Sequence, residues 1–91
     1  MDSNLQKYLA FVRTVETGSF TRAALLLNYT QSSVSKMIGD LEKEWGITLL
    51  ERSRNGVQLT ACGEQVLPYA RALIADYQRL SGFVDELNGV Q

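Results

Sequence analysis

Residues 19–45 read SFTRAALLLNYTQSSVSKMIGDLEKEW, and they are the most informative part of the chain. It contains two short helical patterns joined at Asn28 and Tyr29, and Asn tolerates the left-handed conformation in which many helices end. The second pattern opens with hydrogen-bonding side chains, where a helix that only supported a core would carry bulky apolar residues among them. These side chains are Thr30, Gln31, Ser32, Ser33, Ser35 and Lys36. Such an opening is typical of a helix that enters the major groove of DNA.

A first helix is predicted over residues 3–17. Ser3 and Gln6 have the spacing of a capping box, in which each side chain binds the other's free backbone N–H, and Gly18 ends the helix. One apolar stripe follows from the helical spacing of Leu5, Tyr8, Leu9, Val12 and Val15.

The second helix is predicted to begin at Ser19 or Phe20, and the third to be capped by Thr30 and stopped by Gly46. The third helix is expected to bury Val34, Ile38, Leu41 and Trp45, which are spaced by four, three and four positions.

Strand-like runs at 49–53 and 57–60 flank the dipeptide Asn55-Gly56. Asn-Gly between such runs is the strongest short-range signal for a hairpin with a type I′ turn. A two-stranded hairpin directly after a helix-turn-helix unit is a wing, so the sequence predicts a mainly all-α winged helix-turn-helix.

A final helix is predicted from a Thr60 cap towards Asn88. It carries a heptad seam with alternating spacings of four and three, formed by Val66, Ala70, Leu73, Tyr77, Leu80, Val84 and Leu87. Apolar residues at this spacing more often form core than an oligomer interface, and part of the seam must pack on the first helix. The seam is nevertheless longer than a domain of this size can cover alone, which favours dimerisation.

The composition fits one compact domain: the chain has 91 residues, of which 45% are hydrophobic. Nine basic and ten acidic residues give a net charge of −1, which is unusual for a nucleic-acid-binding protein. However, the segments 19–39 and 52–63 contain basic residues and no acidic ones. If these segments share a face, that face is positive although the whole chain is not.

Other classes of protein are disfavoured. Without histidine and with Cys62 as its single cysteine, the chain offers no metal site, no internal disulfide and no cofactor, and Cys62 is expected to be a small packed residue. The chain also lacks a nucleophile with a nearby base, which argues against an enzyme. No apolar run could cross a membrane and no signal sequence is evident, so a cytoplasmic protein is expected.

The sequence resembles the N-terminal DNA-binding domain of LysR-type transcriptional regulators over almost its full length. The resemblance is carried by Phe11, Gly18-Ser19-Phe20-Thr21, Ala23-Ala24, Leu27, Gln31-Ser32-Ser33-Val34-Ser35-Lys36, Ile38, Leu41-Glu42, Gly46, Leu49, Arg52, Leu59-Thr60 and Gly63. It departs from the family at Thr30, where Ser is frequent, at Ser32, where Pro is common, and at Leu50, where Phe is usual.

The resemblance implies a wing that approaches the minor groove, and linker helices that pair antiparallel to form a homodimer on a dyad-symmetric DNA operator. It also implies a larger effector-binding portion after the linker helix, so that any effector ligand would belong to a part absent from this chain. The chain is therefore expected to be a fragment, with a winged helix-turn-helix DNA-binding domain at 1–60 and a linker and dimerisation helix at 61–91.

Roles in DNA binding can be assigned to the polar residues. Gln31 can offer a donor and an acceptor together to an adenine edge, Lys36 can reach a guanine edge or the backbone, and Ser32 and Ser35 can bind bases or phosphates. The alternative is that Thr30, Ser32 and Ser33 only cap the helix while Gln31 and Lys36 are solvated.

The polar residues of the wing and of the second helix also allow more than one role. Arg54, beside the turn of the wing, is the better candidate for a DNA contact, whereas Arg52 could bind DNA or pair with an acid. Thr21 and Arg22 begin the helix that crosses the phosphate backbone, and Thr21 could instead cap locally.

Two other functions compete with this one. A protein-interaction module would explain the charge of −1, and a different winged-helix family would keep DNA binding while changing the mode of dimerisation.

Overall fold

A computed structural model of the protein describes residues 4–89, and the predicted Ser3 cap lies outside these residues. Within them, four helices and one hairpin follow each other along the chain. Their bounds are α1 Asn4–Thr17, α2 Phe20–Leu27, α3 Gln31–Trp45, β1 Leu50–Ser53, β2 Gly56–Leu59 and α4 Ala61–Leu87. The predicted winged helix-turn-helix with a long last helix is confirmed.

Local hydrogen bonds explain where the helices begin and end. Ser19, Thr30 and Thr60 cap α2, α3 and α4, and each side-chain oxygen accepts a bond from the backbone N–H three residues on, at 3.1, 3.0 and 2.9 Å respectively. Asn28 ends α2 with φ +64°, and Gly46 ends α3 with φ +69°, both in the left-handed region. The predicted start and stop of α2, the predicted stop of α3 and the predicted caps at Thr30 and Thr60 are confirmed.

Helix α1 lies at the centre of the molecule, in contact with α2, α3, α4 and β2. Its predicted stripe lies in or against the core, but the helix is buried over a wider arc, which also includes Ala10, Phe11 and Thr14. The buried apolar core consists of Ala10, Phe11, Val12, Phe20, Ala23, Ala24, Val34, Ile38, Leu41, Leu49, Leu50, Leu67, Ala70 and Ile74.

Trp45 does not belong to this core, so the prediction that α3 buries it was wrong. The other three predicted residues of α3 are buried, but Trp45 keeps 36% of its surface exposed. It is the last residue of α3 and stacks on Tyr8 of α1, with 5.8 Å between the ring centroids. The ring therefore covers the edge of the core and does not enter it.

Glu42 links α3 to the wing. Its carboxylate accepts hydrogen bonds from the backbone N–H groups of Leu49, at 2.7 Å, and Leu50, at 3.2 Å. Bonds to a charged acceptor are stronger than neutral ones, and these two fix the point at which β1 begins. This carboxylate is therefore used inside the domain.

The hairpin is antiparallel, with Arg52 opposite Val57 and Ser53 opposite Gly56. The two residues of its turn are consequently Arg54 and Asn55, and not Asn55 and Gly56. A type I′ turn needs positive φ at both central residues, whereas among the turn residues and their neighbours only Gly56 has positive φ, at +115°. The predicted hairpin is confirmed, but the predicted turn type was wrong because the register is shifted by one residue.

Gly63 lets α4 approach the start of the wing. It is buried in the first turn of the helix, and a Cβ placed on it would lie 2.2 Å from the carbonyl oxygen of Leu49. The preceding residue, Cys62, faces outward and is exposed, so the prediction of a packed cysteine was wrong. The reason is helical geometry, since Gly63 occupies the inward position and its neighbour must point away.

Candidate nucleic-acid interface

The first turns of α3 present polar groups to solvent. Gln31, Ser32 and Lys36 are exposed, and Ser33 and Ser35 are half-buried. The first turn contains no acidic side chain. Because the N-terminus of a helix carries unpaired N–H groups and a partial positive charge, this end of α3 is suited to bind an anion.

Thr30 and Ser33 are hydrogen-bonded to each other. The Thr30 hydroxyl accepts a bond from the backbone N–H of Ser33 and also lies 2.9 Å from the Ser33 hydroxyl, to which it donates. Thr30 therefore has the capping role that the sequence allowed for it, whereas Ser33 supplies the N–H that is capped, and within residues 4–89 its hydroxyl bonds only to Thr30. Of the other polar side chains in the first two turns, Gln31, Ser35 and Lys36 each contact a neighbouring side chain at the surface.

Thr21 of α2 contacts Gln31 of α3. The Thr21 hydroxyl donates to the side-chain oxygen Oε1 of Gln31 across 3.3 Å, and both residues are exposed. The contact joins the two helices of the helix-turn-helix at its outer surface.

Arg52 is held between the wing and both helices. Its guanidinium donates to the Ser35 hydroxyl of α3 and lies over the ring of Phe20 of α2, 4.2 Å from the ring centroid. A cation over an aromatic face is attracted by the ring quadrupole. Arg52 therefore pairs with no acid in the described part of the chain, and its supporting ring at Phe20 was not predicted from the sequence.

Arg54 is exposed in the turn of the wing, and it makes no ion pair with any of residues 4–89. Between the wing and α3 runs a shallow groove of about 530 Å³. The groove is lined by Gln31, Ser32, Ser35, Lys36 and Arg52. The structure thus brings five of the predicted DNA-binding residues to one opening. We call these five residues, together with Thr21 and Arg54, the recognition surface.

Asp40 places a carboxylate beside the recognition surface. Lys36 forms an ion pair with Asp40, one turn further along α3, with 3.4 Å between Nζ and the carboxylate oxygen. The two segments predicted to be free of acids do meet, but Asp40 from outside them approaches their rim. Exposed pairs of this kind contribute roughly 0–1 kcal/mol, so a phosphate can replace Asp40 as the partner of Lys36 at little cost.

The predicted seam residues of α4 fall into two environments. Ala70 is buried and Val66 half-buried against the chain's own core. The others are exposed, with accessible fractions of 48% for Leu73, 51% for Tyr77, 59% for Leu80, 43% for Val84 and 70% for Leu87. Tyr69 and Phe83, which were not predicted, are also exposed on α4. Their position next to seam residues is the signal that could have identified them.

Residues 4–89 contain neither a candidate metal site nor a candidate membrane-spanning helix. No group of three His, Cys, Asp or Glu side chains that could hold a metal ion occurs between residues 4 and 89. In that part of the chain, no helix combines the length and the apolar character needed to cross a membrane.

The fold and this surface define a winged helix-turn-helix domain with a polar, partly basic face around the start of its third helix. Residues 5–64 match the family described as bacterial regulatory helix-turn-helix protein, lysR family. The chain belongs to this family. This result excludes a different winged-helix family and confirms the expectation that the chain is no enzyme, because the family consists of regulatory proteins.

Similar proteins with names or solved structures are consistent with this family. The chain is 45% identical over 78 residues to the HTH-type transcriptional regulator HdfR of Escherichia coli, and the match covers 86% of the chain and 27% of HdfR. The BenM DBD in complex with catB site 1 DNA is 34% identical, with a TM-score of 0.85 and 97% of each chain covered. The CbnR DBD in its DNA complex is 30% identical, with a TM-score of 0.80 and 98% and 99% covered. The chain thus spans about a quarter of the length of HdfR.

Proposed function

We propose that this chain binds double-stranded DNA sequence-specifically and is the DNA-binding domain of a transcriptional regulator. The observation that carries the proposal is the recognition surface, on which polar side chains of α3 and the wing residue Arg52 line one groove, while Arg54 lies exposed in the turn of the wing. The DNA complexes formed by the similar BenM and CbnR domains support it. In this proposal α3 enters the major groove, the only groove wide enough for a helix to read base edges.

The proposed DNA contacts divide into those that read bases and those that position the protein on the DNA backbone. Gln31, Ser32, Ser35 and Lys36 face the bases, while the N-terminus of α3 binds a phosphate. Arg54 contacts the minor groove or the adjacent backbone, where a narrow groove attracts arginine.

Supporting residues complete the interface. Thr21 and Arg22 lie on the helix that crosses the phosphate backbone, and the Arg52 side chain donates to Ser35 of α3. Thr30, which is hydrogen-bonded to Ser33, caps the recognition helix at the DNA surface.

We further propose that residues 1–60 read the DNA and residues 61–91 act as a linker and dimerisation helix. The exposed apolar face of α4 supports this division. A symmetric dimer would present two recognition helices about one turn of DNA apart, which requires a dyad-symmetric operator. Regulation by an effector would belong to residues outside this chain, and a cytoplasmic location follows from DNA as the target.

The test is a titration of labelled duplex DNA over a series of salt concentrations. Binding is expected to weaken as salt rises, with a logarithmic slope that counts the phosphates contacted. We expect Arg54→Ala to lower this slope by about one in magnitude. The matched control is Arg79→Ala, because Arg79 is an exposed cation on α4, paired with Asp76 and far along the chain from the recognition surface. Absence of saturable binding would instead favour the protein-interaction module.

Base reading is tested separately with Gln31→Ala. On the preferred duplex this change is expected to cost about 1–3 kcal/mol of binding free energy, and on random duplex very little. Gln78→Ala, at an exposed glutamine of α4, is the control for the loss of an amide. Equal losses on both duplexes would contradict base reading by Gln31.

A further inference from the structure

The bond between Thr21 and Gln31 connects two positions that are ten residues apart in sequence. Thr21 is the second residue of α2, and Gln31 is the first residue of α3. Neither helix needs this bond for its own stability, because Ser19 caps α2 and Thr30 caps α3. Its effect is therefore on the Gln31 side chain.

A glutamine amide has two chemically different edges. Its oxygen accepts up to two hydrogen bonds, and its NH₂ group donates two. An exposed glutamine normally rotates between several side-chain conformations, so it can turn either edge towards a ligand. In this structure the Thr21 hydroxyl occupies one acceptor position of Oε1 at 3.3 Å. While this bond is present, the oxygen of the amide faces Thr21 and its NH₂ group is directed away from that hydroxyl, so the bond favours one orientation of the amide before a ligand arrives.

Holding the amide in one orientation affects which base it can read. In the major groove every base pair presents a different pattern of donors and acceptors. An amide that rotates freely can satisfy several patterns, whereas a fixed amide satisfies fewer. It also loses less conformational entropy on binding, because part of that entropy is already lost in the free protein.

We infer that Thr21 is a positioning residue that sets the base preference of Gln31. This inference rests on the proposed function, and it deepens it by assigning to α2 a share in sequence readout. Thr21 had been assigned only a phosphate contact or a local cap. In the present inference its hydroxyl donates to the amide, and the free NH₂ group donates to an acceptor on a base edge.

The experiment is a selection from a pool of duplexes with a randomised central region, carried out with five forms of the chain. These are the unchanged chain, Gln31→Ala, Thr21→Val, Thr21→Ser and the double variant Thr21→Val with Gln31→Ala. Valine has the shape of threonine without the hydroxyl, whereas serine keeps the hydroxyl. Because Thr21 and Gln31 are exposed, all five forms are expected to fold, and thermal unfolding followed by circular dichroism checks this.

The expected result is specific to one base position. Gln31→Ala identifies the position at which preference is lost, and Thr21→Val is expected to reduce the preference there by about three- to tenfold, the value of one hydrogen bond. Thr21→Ser is expected to restore it. The loss in Thr21→Val is expected to be larger on the preferred duplex than on random duplex, which separates a change in base preference from the loss of a phosphate contact. In the double variant Thr21→Val with Gln31→Ala, the loss equals that of Gln31→Ala alone.

Three results would overturn the inference. One is a Thr21→Val variant that keeps the full preference at the position lost in Gln31→Ala. The second is a Thr21→Val variant that weakens binding equally on every duplex and flattens the salt slope, because that is the behaviour of a phosphate contact. The third is a Gln31→Ala variant with unchanged preferences. If the unchanged chain selects no sequence at all, the proposed function fails as well, so the two failures can be told apart.

Discussion

The two halves of helix α4 have the same apolar repeat but opposite surroundings. In residues 61–74, four residues are buried against the rest of the chain, namely Gly63, Leu67, Ala70 and Ile74. In residues 75–87, every residue is exposed, including four of the seam and Phe83. The comparison shows that a heptad repeat identifies a helix face that needs a partner. The repeat does not show whether the same chain or another molecule covers that face. Residues 61–74, the near half, pack on α1. Residues 75–87, the far half, have no partner within residues 4–89.

The largest effect is expected from Gly63→Ala, in the near half. The added Cβ would lie 2.2 Å from the Leu49 carbonyl oxygen and 2.9 Å from a methyl carbon of Leu59. Backbone cannot move aside as a flexible side chain can, so we expect a loss of at least about 4 kcal/mol in the free energy of unfolding, an exceptional value for one substitution. Urea unfolding followed by circular dichroism measures it. An unchanged midpoint would mean that α4 is not anchored at the wing.

The next effect comes from shortening one apolar side chain in each half. Ile74 is 5% exposed and Leu80 is 59% exposed. We expect Ile74→Ala to lower the free energy of unfolding by about 2–4 kcal/mol, because it leaves a cavity in the core.

Leu80→Ala is the matched variant of the far half. Measured at concentrations where the chain is monomeric, it is expected to change stability by less than about 0.5 kcal/mol, the range of an ordinary surface substitution. Similar losses for the two variants would show that the far half is covered within the chain itself, and the comparison between the halves would fail.

Features that depend on neighbouring residues could be predicted from the sequence, whereas features that depend on contacts between elements could not. The caps at Thr30 and Thr60 and the stops at Asn28 and Gly46 were predicted correctly, because each depends on a few neighbouring residues. The hairpin turn was predicted at the wrong residues, since a shift of register by one changes every pairing.

Errors about burial have a different cause. Trp45 and Cys62 were predicted to be packed from their residue types and spacing. Whether a position is covered depends on which elements meet there, and this is decided by the whole fold. The wide burial of Phe11 and its neighbours in α1 follows from three surrounding helices, which no pattern within α1 records.

The recognition surface could be predicted residue by residue but not as a set of contacts. Polar residue types at the start of α3 indicated exposure and binding. The bond between Thr21 and Gln31 and the support of Arg52 by Phe20 join different elements of the fold. Such contacts depend on the packing of α2, α3 and the wing, so only the three-dimensional structure reveals them.

A third prediction concerns dimerisation through the far half. Leu80→Asp would bury a carboxylate in an apolar helix pair, which is costly unless the charge is paired. We expect the dissociation constant of the dimer to rise by at least about tenfold, or 1.4 kcal/mol, as measured by sedimentation equilibrium. Gln78→Asp adds the same charge off the seam and is expected to leave the dimer intact. A dimer that persists in Leu80→Asp would point to another interface.

The smallest effect is expected from Gly82→Ala, the counterpart of Gly63→Ala in the far half. An added Cβ at Gly82 meets nothing within 4 Å, and the position is exposed and off the seam. Because alanine loses less backbone entropy than glycine in a helix, we expect a gain of about 0.5–1 kcal/mol in the free energy of unfolding. The gain is to be measured by urea unfolding both below and above the concentration of dimerisation. If the gain disappears on dimerisation, the partner's backbone approaches Gly82 closely, and the seam is not the centre of the interface.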